Sequence, residues 1–229
     1  MATAASGPSP KWYAPQSRAL SAIEFIIGAS IVIAHNVFRI VPNEVYILAV
    51  AGLLSVRLRN GRFSAMGFKR PASWARLTLI AFAAAAVRLL LGALVIDPIT
   101  ERFWAPAALP SIASGITGNI STALLLLLRV WVQAAFGEEI VYRGYLLTRA
   151  AEVGKSTTAA YWVAVILVSI LFGYGHYYKG PAGIIDSGVA GIILGAAYML
   201  AGRNLWACIL AHGFIDTLGV VVLYFGLDS

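Results

Sequence analysis

The sequence predicts an all-α protein, a polytopic transmembrane bundle of about seven helices. Three observations carry that expectation. Of 229 residues, 60% are hydrophobic and only 12% are charged, about half the charged share of a soluble domain. The mean hydropathy is +0.82. Apolar runs close to the roughly 20 residues that a bilayer demands recur along the chain, separated by short polar breaks.

The elements follow in order. Residues 1–18, MATAASGPSPKWYAPQSR, form a polar tail without the apolar centre of a signal peptide, so the first apolar run is expected to remain as a span. The rest, 19–229, reads as one transmembrane domain without internal repeats. Its spans are expected at 20–40, 44–58, 74–96, 116–136 with an extension to about 151, 159–178, 184–201 and 205–225. The second is short, as for a tilted or half-spanning helix. The single Cys208 excludes a disulfide framework within the chain.

The net charge of +7 would suggest nucleic acid in a soluble protein. Here loop cations that orient membrane helices explain it, and no nucleic-acid partner is expected. VRLRNGRFSAMGFKRPASWAR carries Arg57, Arg59, Arg62, Lys69, Arg70 and Arg76, the densest basic cluster and therefore the expected cytoplasmic loop. Counting outward puts the N-terminus inside and residues 97–115 outside. Residues 149–158 and Gly202–Asn204 fall inside, and residues 179–183 and the C-terminus outside. Arg149, Lys155 and Arg203 fall on the inner side, in agreement. The outer loop DPITERFWAPAALP is Pro-rich with aromatics and suits a membrane surface. The Ala- and Leu-rich, Arg-biased composition reads as bacterial, which places the chain in the inner membrane with the lipid bilayer as its first partner.

Three polar constellations interrupt the apolar pattern. In FGEEIVYRG, Glu138 and Glu139 are adjacent, so on an α-helix they point about 100° apart and cannot do the same job. Glu139 and Arg143 are spaced i,i+4 with the acid N-terminal, the favourable order for an ion pair. That pairing leaves Glu138 without a local cation, and a desolvated carboxylate can act as a general base near neutrality. The plainer reading is that all three snorkel at the interface. In LFGYGHYYKG, His176 ends an apolar run behind Gly173 and Gly175, as an interfacial residue or as part of a site, with Phe172 as a packing residue. In CILAHGFIDTLG, His212 and Asp216 share a helix face. Two polar groups on one stripe of a membrane helix must face protein or water. They read either as a pair joining helices or as part of the same site. Glu, His, His and Asp converging from three helices could make a water-activating acid–base site or a metal site.

Other polar residues receive blander readings. Glu24 and His35 are too far apart along the first helix to meet and read as interface or packing residues. Arg88 and Arg129 sit deeper in their spans, and Arg129 lies on the face opposite Glu138. Asp186 reads as a helix cap. Cys208, one turn before His212, lies on the same stripe and would need a base within reach to act as a nucleophile.

At this point the pattern resembles the CPBP family, the CAAX proteases and bacteriocin-processing enzymes. EEIVYR matches its EExxxR motif, FGYGH its FxxxH motif and HGFID its HxxxN/B motif, in the family's order. The resemblance covers about residues 120–225, the catalytic core. It implies an intramembrane endopeptidase of the glutamic type, formerly classed as a metalloprotease. Its substrate would be a membrane-associated or lipid-anchored protein or peptide. By position, Glu138 would activate water, Glu139 and Arg143 would support the site, and His176 would position water or substrate. His212 and Asp216 would stand at the oxyanion. The family also implies a cavity reached from the cytoplasmic side and from the bilayer.

Asp216 departs from the Asn variant of the motif. An ionised aspartate would repel an oxyanion, so the expectation is that it orients His212. Protonation by burial and metal binding are the other routes. No cofactor is expected; a divalent metal such as zinc would take Glu138, His176, His212 and Asp216. Outside the protease reading stand a non-catalytic scaffold or immunity protein and a proton-coupled transporter, since buried Glu and His also serve those.

Overall fold

A computed structural model describes residues 17–105 and 115–227. The polar tail to residue 16, residues 106–114 of the outer loop and the last two residues lie outside the described set. Among the described residues the chain is helical throughout, without strands.

Seven helical rods follow one another: α1 Arg18–Asn36, α2 Glu44–Asn60, α3 Trp74–Thr100, α4 Ile120–Val153, α5 Thr158–Gly175, α6 Gly180–Leu200 and α7 Leu205–Phe225. All but α2 are long and apolar enough to cross a membrane. At 17 residues, α2 reaches about 25 Å at 1.5 Å per residue, short of a straight span. Starts are set by side-chain caps. Ser17, Asn43, Ser73, Asn119, Thr157 and Asn204 each accept a backbone N–H of the first turn. Gly61 and Gly226, both left-handed, stop α2 and α7.

The outside is apolar and the inside is partly charged, the reverse of a soluble domain. Ile26, Leu79, Phe82, Leu125 and Leu128 are exposed, whereas Glu139, Arg143 and Arg149 are buried. Such a surface is at home in lipid.

Loop contacts separate two ends of the bundle. Arg18 Nε donates to Val153 O at 2.7 Å, and Lys69 Nζ to Gly202 O at 2.7 Å. Asn204 Nδ2 donates to Lys69 O at 3.1 Å. The basic stretches around 57–76, 149–155 and 203 therefore share one end, the basic end. At the other, Gly118 N donates to Tyr224 O at 2.9 Å.

Two departures from the expected elements matter. The extension of the fourth span is not plain α-helix: Val130–Glu138 and Ile140–Leu146 take the wider i→i+5 π form. Such turns are rare and tend to accompany functional sites. And α6 begins at Gly180, earlier than expected, so Asp186 is not a cap. It sits within the helix and accepts from Arg88 Nη2 of α3 at 2.5 Å.

A buried ionic cluster lies near the basic end and corrects the reading of Glu24 as a packing residue. Glu24 Oε1 accepts from Arg59 Nη1 at 2.8 Å. Its Oε2 accepts from Arg149 Nε at 2.8 Å and from Ser55 Oγ at 2.5 Å. Glu152 accepts from Arg149 Nη1 on both oxygens, and from Ser21 Oγ at 2.7 Å. This cluster ties α1 and α2 to the end of α4. His35 is likewise paired: its Nε2 lies 3.3 Å from Glu44 Oε2, across the α1–α2 turn.

Candidate active site

The site is assembled where α4, α5 and α7 meet. The i,i+4 spacing delivers the ion pair it promised: Arg143 Nη1 stands 2.8 Å from Glu139 Oε1, with both side chains almost wholly buried. Arg143 Nη2 also donates to Gly191 O of α6 at 3.2 Å. Its guanidinium lies 4.4 Å from the centre of the Phe172 ring, a cation–π contact strengthened by burial.

Glu139 has a second partner that spacing could not reveal. His212 Nδ1 lies 2.8 Å from the same Glu139 Oε1. A carboxylate only accepts, so Nδ1 carries the proton and the other nitrogen, Nε2, faces out. There, Asp216 Oδ2 is 3.6 Å away, an electrostatic neighbour beyond hydrogen-bond length. Glu139 rather than Asp216 therefore fixes the ring of His212.

Glu138 is treated differently. It makes no hydrogen bond or ion pair among the described residues, and its Oε2 is closed off from solvent. It lies within the field of His212, Asp216 and Glu44. A carboxylate without a partner in an apolar bundle is costly.

His176 reaches the site because α5 ends at Gly175, three residues sooner than the expected 178. The His176 N–H bonds to Gly173 O at 2.9 Å, and the chain turns through Tyr177–Lys179 into α6. Gly173 makes that turn possible: a Cβ there would stand 2.6 Å from Ile184 O. His176 Nδ1 pairs with Phe172 O at 3.0 Å, and its ring lies 4.8 Å from Phe172. His176 thus touches Phe172, not the glutamates.

Phe172, expected only to pack, is the hub. Its ring meets Tyr142 at 4.9 Å, His176 at 4.8 Å and His212 at 6.1 Å, and carries Arg143 on its face. Tyr142 and Trp131 were missed by the motif reading. Trp131 lies across the backbone of Gly213, where a Cβ would come within 2.4 Å of the ring, and donates to Thr217 Oγ1 at 3.1 Å. A bulky aromatic facing a glycine beside a polar triplet was the available signal. Cys208 donates to Leu194 O at 3.4 Å and plays a packing part. Arg129 bonds Gln133 at 3.2 Å rather than Glu138.

Among the described residues, no three His, Cys, Asp or Glu side chains converge to hold a metal ion. His212 Nδ1 is committed to Glu139 and His176 Nδ1 to a backbone carbonyl.

The motif segment also answers to a known family. Residues 120–218 match the family model described as type II CAAX prenyl endopeptidase, Rce1-like. Over these residues, less than half of its length, the chain is similar to the CAAX protease family. Its members are intramembrane endopeptidases, and the all-helical, multi-pass architecture suits that likeness. No curated protein and no solved structure matches the chain. The matched residues contain α4 to α6 and most of α7, and with them every residue of the candidate site.

Proposed function

We propose that the protein hydrolyses a peptide bond of a membrane-associated or lipid-anchored protein or peptide by a glutamic mechanism, with Glu138 as the base. The observation that carries this reading is the unequal use of two adjacent carboxylates. Glu139 Oε1 holds both Arg143 and His212, whereas Glu138 holds nothing.

Glu138 takes a proton from a water molecule as its oxygen attacks the scissile carbonyl carbon, forming a tetrahedral oxyanion. A general base so placed contributes about 10²–10⁴-fold. His212, as imidazolium, has donors on both nitrogens: Nδ1–H is held by Glu139 and Nε2–H points to the oxyanion. Asp216, near Nε2, balances that cation. Glu138 then returns the proton to the departing amine as the C–N bond breaks. His176 stands across Phe172 from this centre, where it would position water or substrate. Glu139 and Arg143 are positioning residues. The imidazole of His212 is held by Glu139 before substrate arrives, and preorganised donors of this kind supply much of an enzyme's rate.

The family description supports a prenylated substrate, and the composition supports a bacterial inner membrane with the basic end cytoplasmic. The test compares wild type with Glu138→Gln, purified full length and reconstituted in lipid. The assay follows cleavage of a prenylated peptide ending in a Cys-a-a-X sequence, beside its unprenylated form and a membrane-anchored reporter. Glu138→Gln is expected to lose about 10²–10⁴-fold in rate with an unchanged or higher melting temperature. A folded Glu138→Gln protein that cleaves at the wild-type rate would sink the mechanism and favour a scaffold or transporter.

A further inference from the structure

We propose that the basic end carries a binding site for an anionic phospholipid, away from the catalytic cluster. A cavity of about 410 Å³ opens between the start of α3 and the end of α6. Its lining includes Lys69, Arg70 and Arg76 together with Leu77, Ile80 and Leu200. No acidic residue lines it. That sets it apart from the other basic-end cavity, where Arg18, Lys155 and Arg203 face Glu152.

The arrangement matches the anatomy of a lipid. Arg76, Leu77 and Ile80 lie on one face of α3, since residues three and four apart are neighbours on a helix. The cation comes first and the apolar side chains lie deeper along the span. A phosphate on the cations would leave an acyl chain against Leu77, Ile80 and Leu200. Depth is marked by Trp74, half exposed at the start of α3 and 6.1 Å from Trp206 at the start of α7. Tryptophans of this kind favour the headgroup level.

The site is built and its charges are free. The loop is fastened by Lys69 Nζ to Gly202 O, Asn204 Nδ2 to Lys69 O and Leu205 N to Gly67 O. The guanidinium groups of Arg70 and Arg76 make no hydrogen bond or ion pair among the described residues, so nothing in the fold neutralises them. Orienting a helix needs cations in a loop. It does not need them gathered around a cavity that apolar side chains also line. Basic pockets of this kind at the ends of membrane helices suit anionic headgroups. Phosphatidylglycerol-type lipids, with a monoanionic phosphodiester and two chains, have the matching chemistry.

The experiment titrates full-length protein in a neutral detergent with short-chain phosphatidylglycerol, phosphatidylcholine and inorganic phosphate. Binding is read from Trp fluorescence and from the melting temperature. Phosphatidylglycerol is expected to bind saturably and stabilise the protein. The double variant Arg70→Gln, Arg76→Gln is expected to bind it about 30-fold more weakly, from roughly fivefold for each cation removed. The control Arg57→Gln, Arg62→Gln removes the same charge from the same end but outside the cavity, and should leave affinity unchanged. Equal weakening in both double variants would reduce the effect to general surface charge and overturn the site. Equal binding of phosphatidylcholine, or binding of inorganic phosphate alone, would overturn it as well.

Discussion

Two buried ionic clusters, built from the same residue types, are finished in opposite ways. Near the basic end, Glu24 and Glu152 meet Arg59 and Arg149, and each of the four carboxylate oxygens accepts from a donor. In the motif segment, Arg143 pairs with Glu139 alone, and of the oxygens of Glu138 and Glu139 only Glu139 Oε1 is well used. The first cluster is closed and cements three helices. The second leaves a carboxylate, and one nitrogen of a histidine, with no fixed partner. A network in which every carboxylate oxygen is taken up holds structure. An open one is a liability to the fold, and such groups mark chemistry.

The widest gap between the clusters should appear at Glu139. Glu139→Gln would leave Arg143 buried without its counter-charge and His212 without the anion that holds Nδ1. Losing one partner of a buried pair costs about 3–5 kcal/mol, so the melting temperature should drop sharply and cleavage should fail together with it. A folded Glu139→Gln protein with normal stability would show that Gly191 O and the Phe172 face alone hold Arg143, which would shrink the role given to Glu139.

Glu24→Gln probes the closed cluster. It keeps the shape and removes the charge shared by Arg59 and Arg149. Stability is expected to fall by about 1–3 kcal/mol, less than at Glu139 because this side chain is partly exposed. The kcat of the folded fraction should stay at the wild-type value. If kcat fell while stability held, the two clusters would be coupled through α4, and the division between them would have to be redrawn.

The same comparison explains what was legible in the sequence. Features set by local spacing could be read. The bounds of α7, the Glu139–Arg143 pair and the shared face of His212 and Asp216 all depend on residues within a turn or a single apolar run. Features set by packing could not. Glu139 and His212 are 73 positions apart, and Glu24 and Arg149 are 125 apart. Which carboxylate meets which cation then depends on how helices cross, and composition is silent on that. Glu24 and His35 looked isolated because their partners stand on other helices. The π turns around the glutamates left no mark in the hydropathy pattern, since a widened turn keeps the same apolar content. The expected span ran on to 178, three residues past the observed end of α5. With α5 closed at Gly175, the histidine falls beside Phe172.

The smallest expected effect, at Asp216, separates two accounts of the open cluster. If Asp216 were what orients His212, replacing it should loosen the ring and abolish cleavage. The geometry gives that task to Glu139, which holds Nδ1 at 2.8 Å, while Asp216 stays 3.6 Å from Nε2. Asp216→Asn should therefore keep the ring in place. It removes a charge that balances the imidazolium, which weakens the donor. It also adds an amide N–H that can reach an oxyanion, which strengthens the hole. These changes oppose one another, so kcat should stay within about tenfold of wild type, a difference of about 1.4 kcal/mol in barrier. Asp216→Leu removes the charge without adding a donor and should fall further. An Asp216→Asn protein that folds but is as inactive as Glu138→Gln would mean that the carboxylate itself takes part in the chemistry, and Glu138 would no longer be the only base in the site.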